Sequence, residues 1–404
     1  MTPEIKQRIE KIRRGEVPEG YKRTKVGIVP DEWKLYKLCE ISEELHECAG
    51  DSTYETLSIS AGIGFVNQAN KFGKEISGAQ YSKYTVLKKG DFSYNKGNSK
   101  KYPQGCIYQL KDREAAAVPN VFESFRLTKG NNDFFEQLFM HGFLNSQLFS
   151  KINHGVRDDG LLNLRGDDFY SSYVLFPPRP EQEKIAEILS AQDKLIALKE
   201  KLIEEKKRQK KSLMQQLLTE KKRLPGFSGE WKKYNFHQIF ETVSSRNNQI
   251  KSDEYLDNAE YPVVDQGKKK IIAYSNKKEK LLKIPKDGII VFGDHTREVK
   301  YIDFDFIVGA DGTQILKSKT NNISTLFLYY ALASKKIKSD GYSRHLKYVK
   351  ELIYRIPEET EQKAIVDIFR SVDKEIEILK KDLDQEKQKK KALMQLLLTG
   401  IVRV

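Results

Sequence analysis

The chain has 404 residues, with 71 Lys and Arg against 57 Asp and Glu, a net charge of +14. Forty aromatic Tyr and Phe residues exclude a chain that never packs, and no apolar run approaches the ~18 residues of a membrane span. Three cysteines without a CxxC pair argue for a reduced compartment, read as cytoplasmic, and the basic balance makes nucleic acid the first partner to test.

In chain order, residues 3–14 predict a short helix within an N-terminal arm of residues 1–24. Glu32-Trp33-Lys34 then opens a variable stretch. In it, residues 85–94, 106–110 and 121–127 alternate or cluster as strands, and residues 132–145 read as a helix. A charged, periodic helix follows over residues 181–222. Glu230-Trp231-Lys232 opens a second variable stretch, with strands at 261–264, 288–292 and 306–308 and a helix at 324–334. A second charged helix starts at residue 361. The expected domains are therefore 1–24, 25–180, 181–222, 223–360 and 361–404.

This order repeats itself. Shifted by 180, residues 181–219 fall without a gap on 361–399, with 17 of 39 positions identical, among them Glu181/Glu361, Gln182/Gln362 and Asp193/Asp373. The two tryptophans recur at a shift of 198, each at the entry to a unit. Between the variable stretches there is no convincing identity, so the repeat preserves a frame and lets its contents differ. Both helices keep a coiled-coil seam: Ile185, Leu189, Ile196, Ile203 and Leu213 in the first, and Ile365, Phe369, Val372, Ile376, Leu379, Leu383 and Leu393 in the second. Ile188, Leu195, Leu198 and Leu202 widen the apolar face of the first. Such faces need a partner, and each copy is the obvious partner of the other.

Motifs for chemistry are missing. There is no HExxH, no zinc spacing, no GxxxxGK and no Asn/Asp-Pro-Pro-aromatic tetrapeptide of an amino-methyltransferase, so catalysis and a metal site are not expected. The duplicated Glu-Trp-Lys fits packing better than a nuclease centre. Polar loop clusters fit binding instead: Lys96, Asn98, Lys100 and Lys101; Arg157; Gln266, Lys268, Lys269 and Lys270; Arg297; and Arg344 with His345. Lysines neutralise phosphates, while Arg and Gln can hydrogen-bond base edges. Helices and arm carry more than half of the net charge, so these local clusters matter more than the total.

Taken together, the chain from Lys25 onward resembles the specificity subunits of type I restriction–modification enzymes. The entry segments ending Pro30-Asp31-Glu32-Trp33 and Ser228-Gly229-Glu230-Trp231 carry the resemblance, with Glu181-Gln182-Glu183-Lys184-Ile185-Ala186 and Leu397-Leu398-Thr399-Gly400. In the second stretch, Gln266-Gly267, Val291-Phe292-Gly293-Asp294-His295-Thr296 and Gly309-Ala310-Asp311-Gly312-Thr313 are similar to one large group of target recognition domains. The resemblance implies an α+β fold: two target recognition domains separated by two long helices pairing as an antiparallel coiled coil, with a pseudo-twofold internal repeat. It implies double-stranded DNA, two methyltransferase subunits and restriction/translocase subunits as partners. S-adenosylmethionine would then sit on the methyltransferase, and ATP and Mg on the nuclease, with no cofactor in this chain. Two rivals stay open, a DNA methyltransferase or nuclease with an unfamiliar site and a protein-only coiled-coil scaffold. A change of length at Leu217-Leu218-Thr219-Glu220 is expected to alter the gap between half-sites.

Overall fold

Strong helix formers at seam spacing, without an internal glycine or proline beyond the first turn, give two helices of 39 residues each, Arg179–Leu217 and Glu359–Leu397. The computed structural model describes residues 2–73, 78–97, 102–152, 162–339, 341 and 343–404. These fall into two units, residues 1–198 with 383–404, and residues 199–382, so each unit holds one variable stretch and a part of both helices.

In the first unit a four-stranded antiparallel sheet runs Ser42–Glu44, Glu123–Leu127, Phe92–Asn95, Cys106–Gln109. The predicted strand over 85–94 is two strands, Thr85–Lys88 and Phe92–Asn95, broken at Gly90, whose φ of 98° few side chains tolerate. They belong to different sheets, since Thr85–Lys88 pairs with Ala115–Val118. The predicted helix over 132–145 ends at Met140, because Gly142 turns the chain at φ 78° before a second helix, Asn145–Lys151. Phe92, Phe125, Phe134, Phe135 and Phe169 are fully buried together with Trp33.

The second unit repeats that sheet order without repeating its sequence. Phe240–Val243, Thr313–Ser318, Ile289–Gly293 and Val299–Ile302 lie side by side, all antiparallel. A smaller sheet adds Ala273–Ser275, Tyr261–Val264 and Ile307–Val308, the last two parallel. Strands Thr313–Ser318 and Val299–Ile302 escape sequence reading because Gln314, Lys317, Lys300 and Tyr301 interrupt their apolar pattern. In both units a strand just after the Glu-Trp-Lys tryptophan pairs with one just before the long helix. These pairs are Lys34–Lys37 with Tyr173–Phe176, and Lys232–Asn235 with Ile353–Ile356.

The helix segments run antiparallel within each unit. In the first, Ile185 and Leu189 are buried in the core shared with Met394 and Leu397, while Ile196 and Leu393 are half-buried. Gln192 donates from Nε2 to Glu386 Oε2 at 2.7 Å, and Lys390 Nζ to Asp193 Oδ1 at 2.5 Å. In the second unit Ile365 and Phe369 join Met214 and Leu217 in one core. There Ile203 and Ile376 are buried, and Leu213, Val372 and Leu379 are half-buried. Lys206 pairs with Glu375 at 2.7 Å, Lys210 with Asp373 at 2.5 Å, and Lys199 with Asp382. Leu383, in the first unit, is also buried. The widened apolar face does not join the seam: Leu195, Leu198 and Leu202 are exposed, and Ile188 instead packs on the first unit's core. Among the described residues, no helix is long and apolar enough to cross a membrane.

Candidate nucleic-acid interface

Each domain is held to its helices by the same clasp. Trp33 is fully buried and donates from Nε1 to Glu181 Oε2 at 2.8 Å, while Arg403 grips both carboxylate oxygens at 2.6 and 2.9 Å. Trp231 donates to Glu361 at 3.1 Å, and Arg223 grips that carboxylate at 2.8 Å on both oxygens. Glu181 and Glu361 are only 4% and 1% exposed, so these charges stand only because each is fully hydrogen-bonded. Next to them Gln182 and Gln362 donate to the carbonyls of Pro177 and Pro357 and accept from the backbone N–H of Asn131 and Ser324. The tryptophans therefore pack, as their duplication indicates, and Glu32 joins the first clasp by accepting from Arg403 Nη2 at 2.7 Å.

What the clasps carry differs. In the second unit four loops meet, at 265–270, 293–298, 309–313 and 343–345. Gln266 ties three of them: its Nε2 donates to the Asp311 carbonyl at 2.8 Å, and its Oε1 accepts from the His295 N–H at 3.2 Å. Its own carbonyl accepts from the Thr296 hydroxyl at 2.6 Å. The loops pack so closely that a Cβ on Gly312 would lie 2.7 Å from the His295 ring and 2.8 Å from Gln266 Oε1. The buried Lys300 supports the lysine-rich loop from beneath, donating to the carbonyls of Asp265 and Lys269 at 2.6 and 2.9 Å. Burial holds its ammonium below the ordinary lysine range, and Asp265 opposes that shift.

The loop residues singled out by sequence thus separate into two groups. Lys268, Lys269, Arg297 and Arg344 are exposed, and among the described residues their side chains have no hydrogen-bond or ion-pair partner. Arg297 holds a left-handed φ of 64°, uncommon for a residue with a side chain. The others are occupied. Gln266 is spent on the loops. His345 is only 1% exposed and donates from Nδ1 to the Asp294 carbonyl at 2.8 Å, so it is a buried anchor rather than a surface contact. Lys270 pairs with Asp303 at 3.1 Å and covers the Phe304 ring at 5.2 Å. In the first unit Lys96 is paired with Glu123 at 2.8 Å with both side chains mostly buried, which removes it from a solvent-facing cluster. Asn98, Lys100, Lys101 and Arg157 lie outside the described residues.

Sequence reading missed Arg223 and Arg403, although the shift of 180 that aligns Glu181 with Glu361 also places Arg223 on Arg403. Lys300 was missed as well, since one lysine inside a strand gives no signal.

Comparison with known proteins agrees with this architecture. The family model described as "Type I restriction modification DNA specificity domain" matches twice, over residues 30–208 and 228–387. A putative type I restriction enzyme specificity subunit of Methanocaldococcus jannaschii is 24% identical, over 96% of this chain and 97% of its own. A second specificity subunit of that organism is 26% identical over 67% of this chain and 70% of its own. The fold is similar to the crystal structure of the S subunit from M. genitalium, with a TM-score of 0.56 at 17% identity, covering 90% of this chain and 96% of that one. Two matches of one specificity domain, on two domains clasped alike to one pair of helices, place this chain in the type I restriction–modification DNA specificity family.

Proposed function

We propose that the chain is the sequence-reading subunit of a type I restriction–modification complex, in which each domain reads one half of an asymmetric, bipartite double-stranded target. The observation that carries this reading is the pairing of one frame with two contents. The same sheet order and the same Trp–Glu–Arg clasp recur, while the loops beyond the sheets differ in length and charge. The hairpin from Phe92–Asn95 to Cys106–Gln109 spans ten residues; its counterpart from Ile289–Gly293 to Val299–Ile302 spans five. Two dissimilar readers make an unequal pair of half-sites.

The chain itself directs chemistry rather than performing it. Two methyltransferase subunits dock on the helices and methylate adenine with S-adenosylmethionine that they bind themselves, and restriction/translocase subunits bring ATP and Mg. Exposed Leu195, Leu198 and Leu202 on one face of the first helix favour a protein partner there. Exposed Lys268 and Lys269, without a partner among the described residues, supply phosphate contacts beside the second domain's base-facing loops.

Mapping methylated adenines by single-molecule sequencing, in cells carrying this chain with its methyltransferase, tests the reading. One motif with two unlike half-sites at a fixed gap is expected. Methyl transfer or cleavage by the purified chain alone, or no sequence-specific methylation, would overturn it.

A further inference from the structure

The loop cluster of the second domain contains a residue whose backbone is fixed from both sides and whose side chain has no partner among the described residues. Before Arg344, the Ser343 carbonyl accepts from His295 Nδ1 at 3.3 Å. After it, His345 is fastened twice to one carbonyl, its backbone N–H and its Nδ1 both donating to Asp294 at 2.8 Å. The next residue closes the lock, the Leu346 N–H donating to Asp294 Oδ1 at 2.7 Å. Asp294 is itself buried, its N–H held by the Gly312 carbonyl at 2.7 Å. Arg344 stands exposed on this support, with no acidic partner among the described residues.

We propose that Arg344 is a specificity-determining residue that reads a guanine in the half-site of the second domain, with His345 as its positioning residue; this rests on the DNA-reading role proposed above. A guanidinium presents two parallel N–H donors that match the O6 and N7 acceptors of guanine in the major groove, a pairing that no other base pair offers at the same place. Selectivity from such a fork needs a base that does not move, because a wandering arginine finds a phosphate as easily as a base edge. The His345–Asp294 lock supplies that immobility. Its hydrogen-bonded neighbours cannot do the reading, which leaves Arg297 and Arg344 as the exposed guanidinium groups of the cluster, and only Arg344 stands on the Asp294 lock. His295, Thr296 and Gln266 spend their polar groups on one another's loops, and His345 is buried.

The test is made on the complete methyltransferase complex, by sequencing methylated adenines and by measuring affinity for the motif against salt. Arg344→Ala should make one position of the second domain's half-site degenerate and weaken binding about 5- to 150-fold, the half-site of the first domain staying as strict as before. His345→Ala should loosen the same position, and His345→Asn, which keeps a side-chain N–H for the Asp294 carbonyl, should restore it. Uniform weakening with an unchanged motif and a salt slope reduced by about one would make Arg344 a phosphate contact and overturn the proposal. An unchanged motif and affinity would overturn it too. Loss of all motif-specific methylation by the unmodified complex would instead defeat the DNA-reading role itself.

Discussion

The two units differ where a reader of DNA should differ and agree where a scaffold should agree. Glu181 and Glu361, Gln182 and Gln362, and Asp193 and Asp373 have the same kinds of partner at nearly the same distances. Even the lysines correspond, Lys390 on Asp193 and Lys210 on Asp373. The described loops differ: Lys96 is locked to Glu123 in the first unit, while in the second Arg297 and Arg344 are exposed with no side-chain partner among the described residues. A buried, fully hydrogen-bonded frame tolerates little change, because each lost partner strands another polar group. Exposed loop tips carry no such penalty and are free to diverge.

The largest expected effect comes from breaking a clasp. Glu361→Ala would strand the Trp231 N–H and the Arg223 guanidinium in a site where the carboxylate is 1% exposed. Removal of one member of a buried charged pair costs about 3–5 kcal/mol, and partial exposure of the Arg223 side chain moves the estimate to the lower end. Glu181→Ala should cost less in the first unit, because Arg403 keeps Glu32 at 2.7 Å, and denaturant unfolding of both variants checks the order. An equal loss would show that Glu32 does not substitute for Glu181.

How much of this was legible depended on which residues carried a signal twice. The long helices announced themselves through register, and the tryptophans through duplication. The sheets were half legible: Ile289–Gly293 reads as a buried strand, but Thr313–Ser318 alternates with Gln314 and Lys317 and reads as nothing in particular. Composition alone does not separate exposed cations from spent ones. Lys96 and Lys268 look alike in sequence, and only the folded position of Glu123 distinguishes them. The proposed spacer site at residues 217–220 also changes meaning, since Leu217 and Leu218 are buried against Trp231 in the second unit's core. An insertion there would disturb that domain as well as any gap between half-sites.

A second comparison concerns the turn after each helix, where Glu220 and Gly400 occupy equivalent positions and both are left-handed, at φ 60° and 72°. Gly400→Ala adds backbone strain and drives a Cβ toward Pro30, with the Trp33 ring 3.3 Å away. The expected cost is about 2 kcal/mol. Glu220→Gly should behave oppositely: relief of the left-handed strain, about 1 kcal/mol, is offset by the loss of the exposed Arg355 ion pair and by glycine's unfolded-state entropy. The net change should stay within about 0.5 kcal/mol of zero. Thermal unfolding of both variants decides this; a loss on Glu220→Gly as large as that on Gly400→Ala would mean that Arg355 contributes more than an exposed ion pair does.

An effect smaller than that of a broken clasp should come from the latch between each domain and its helices, and here the units should separate. In the second unit the Tyr330 hydroxyl donates to Asp373 Oδ2 at 2.8 Å; in the first, Gln137 Nε2 donates to Asp193 Oδ2 at 2.9 Å. Both acceptors keep a lysine, so neither aspartate is stranded when its neutral donor is removed. Tyr330→Phe should therefore cost about 1.5 kcal/mol, the worth of a hydrogen bond to a charged group at its lower end. Gln137→Met should cost less, because the buried Gln137 Oε1 has no hydrogen-bond partner among the described residues and its loss removes a standing penalty. Burial, and then the charge of Asp373, raise the Tyr330 phenol above its ordinary range. Its stabilising contribution is thus complete below about pH 10 and is lost as pH rises further, the unfolded chain giving up its proton first. Unfolding measured at neutral pH and again above pH 10 should show the Tyr330→Phe deficit shrinking in alkali while the Gln137→Met difference does not move.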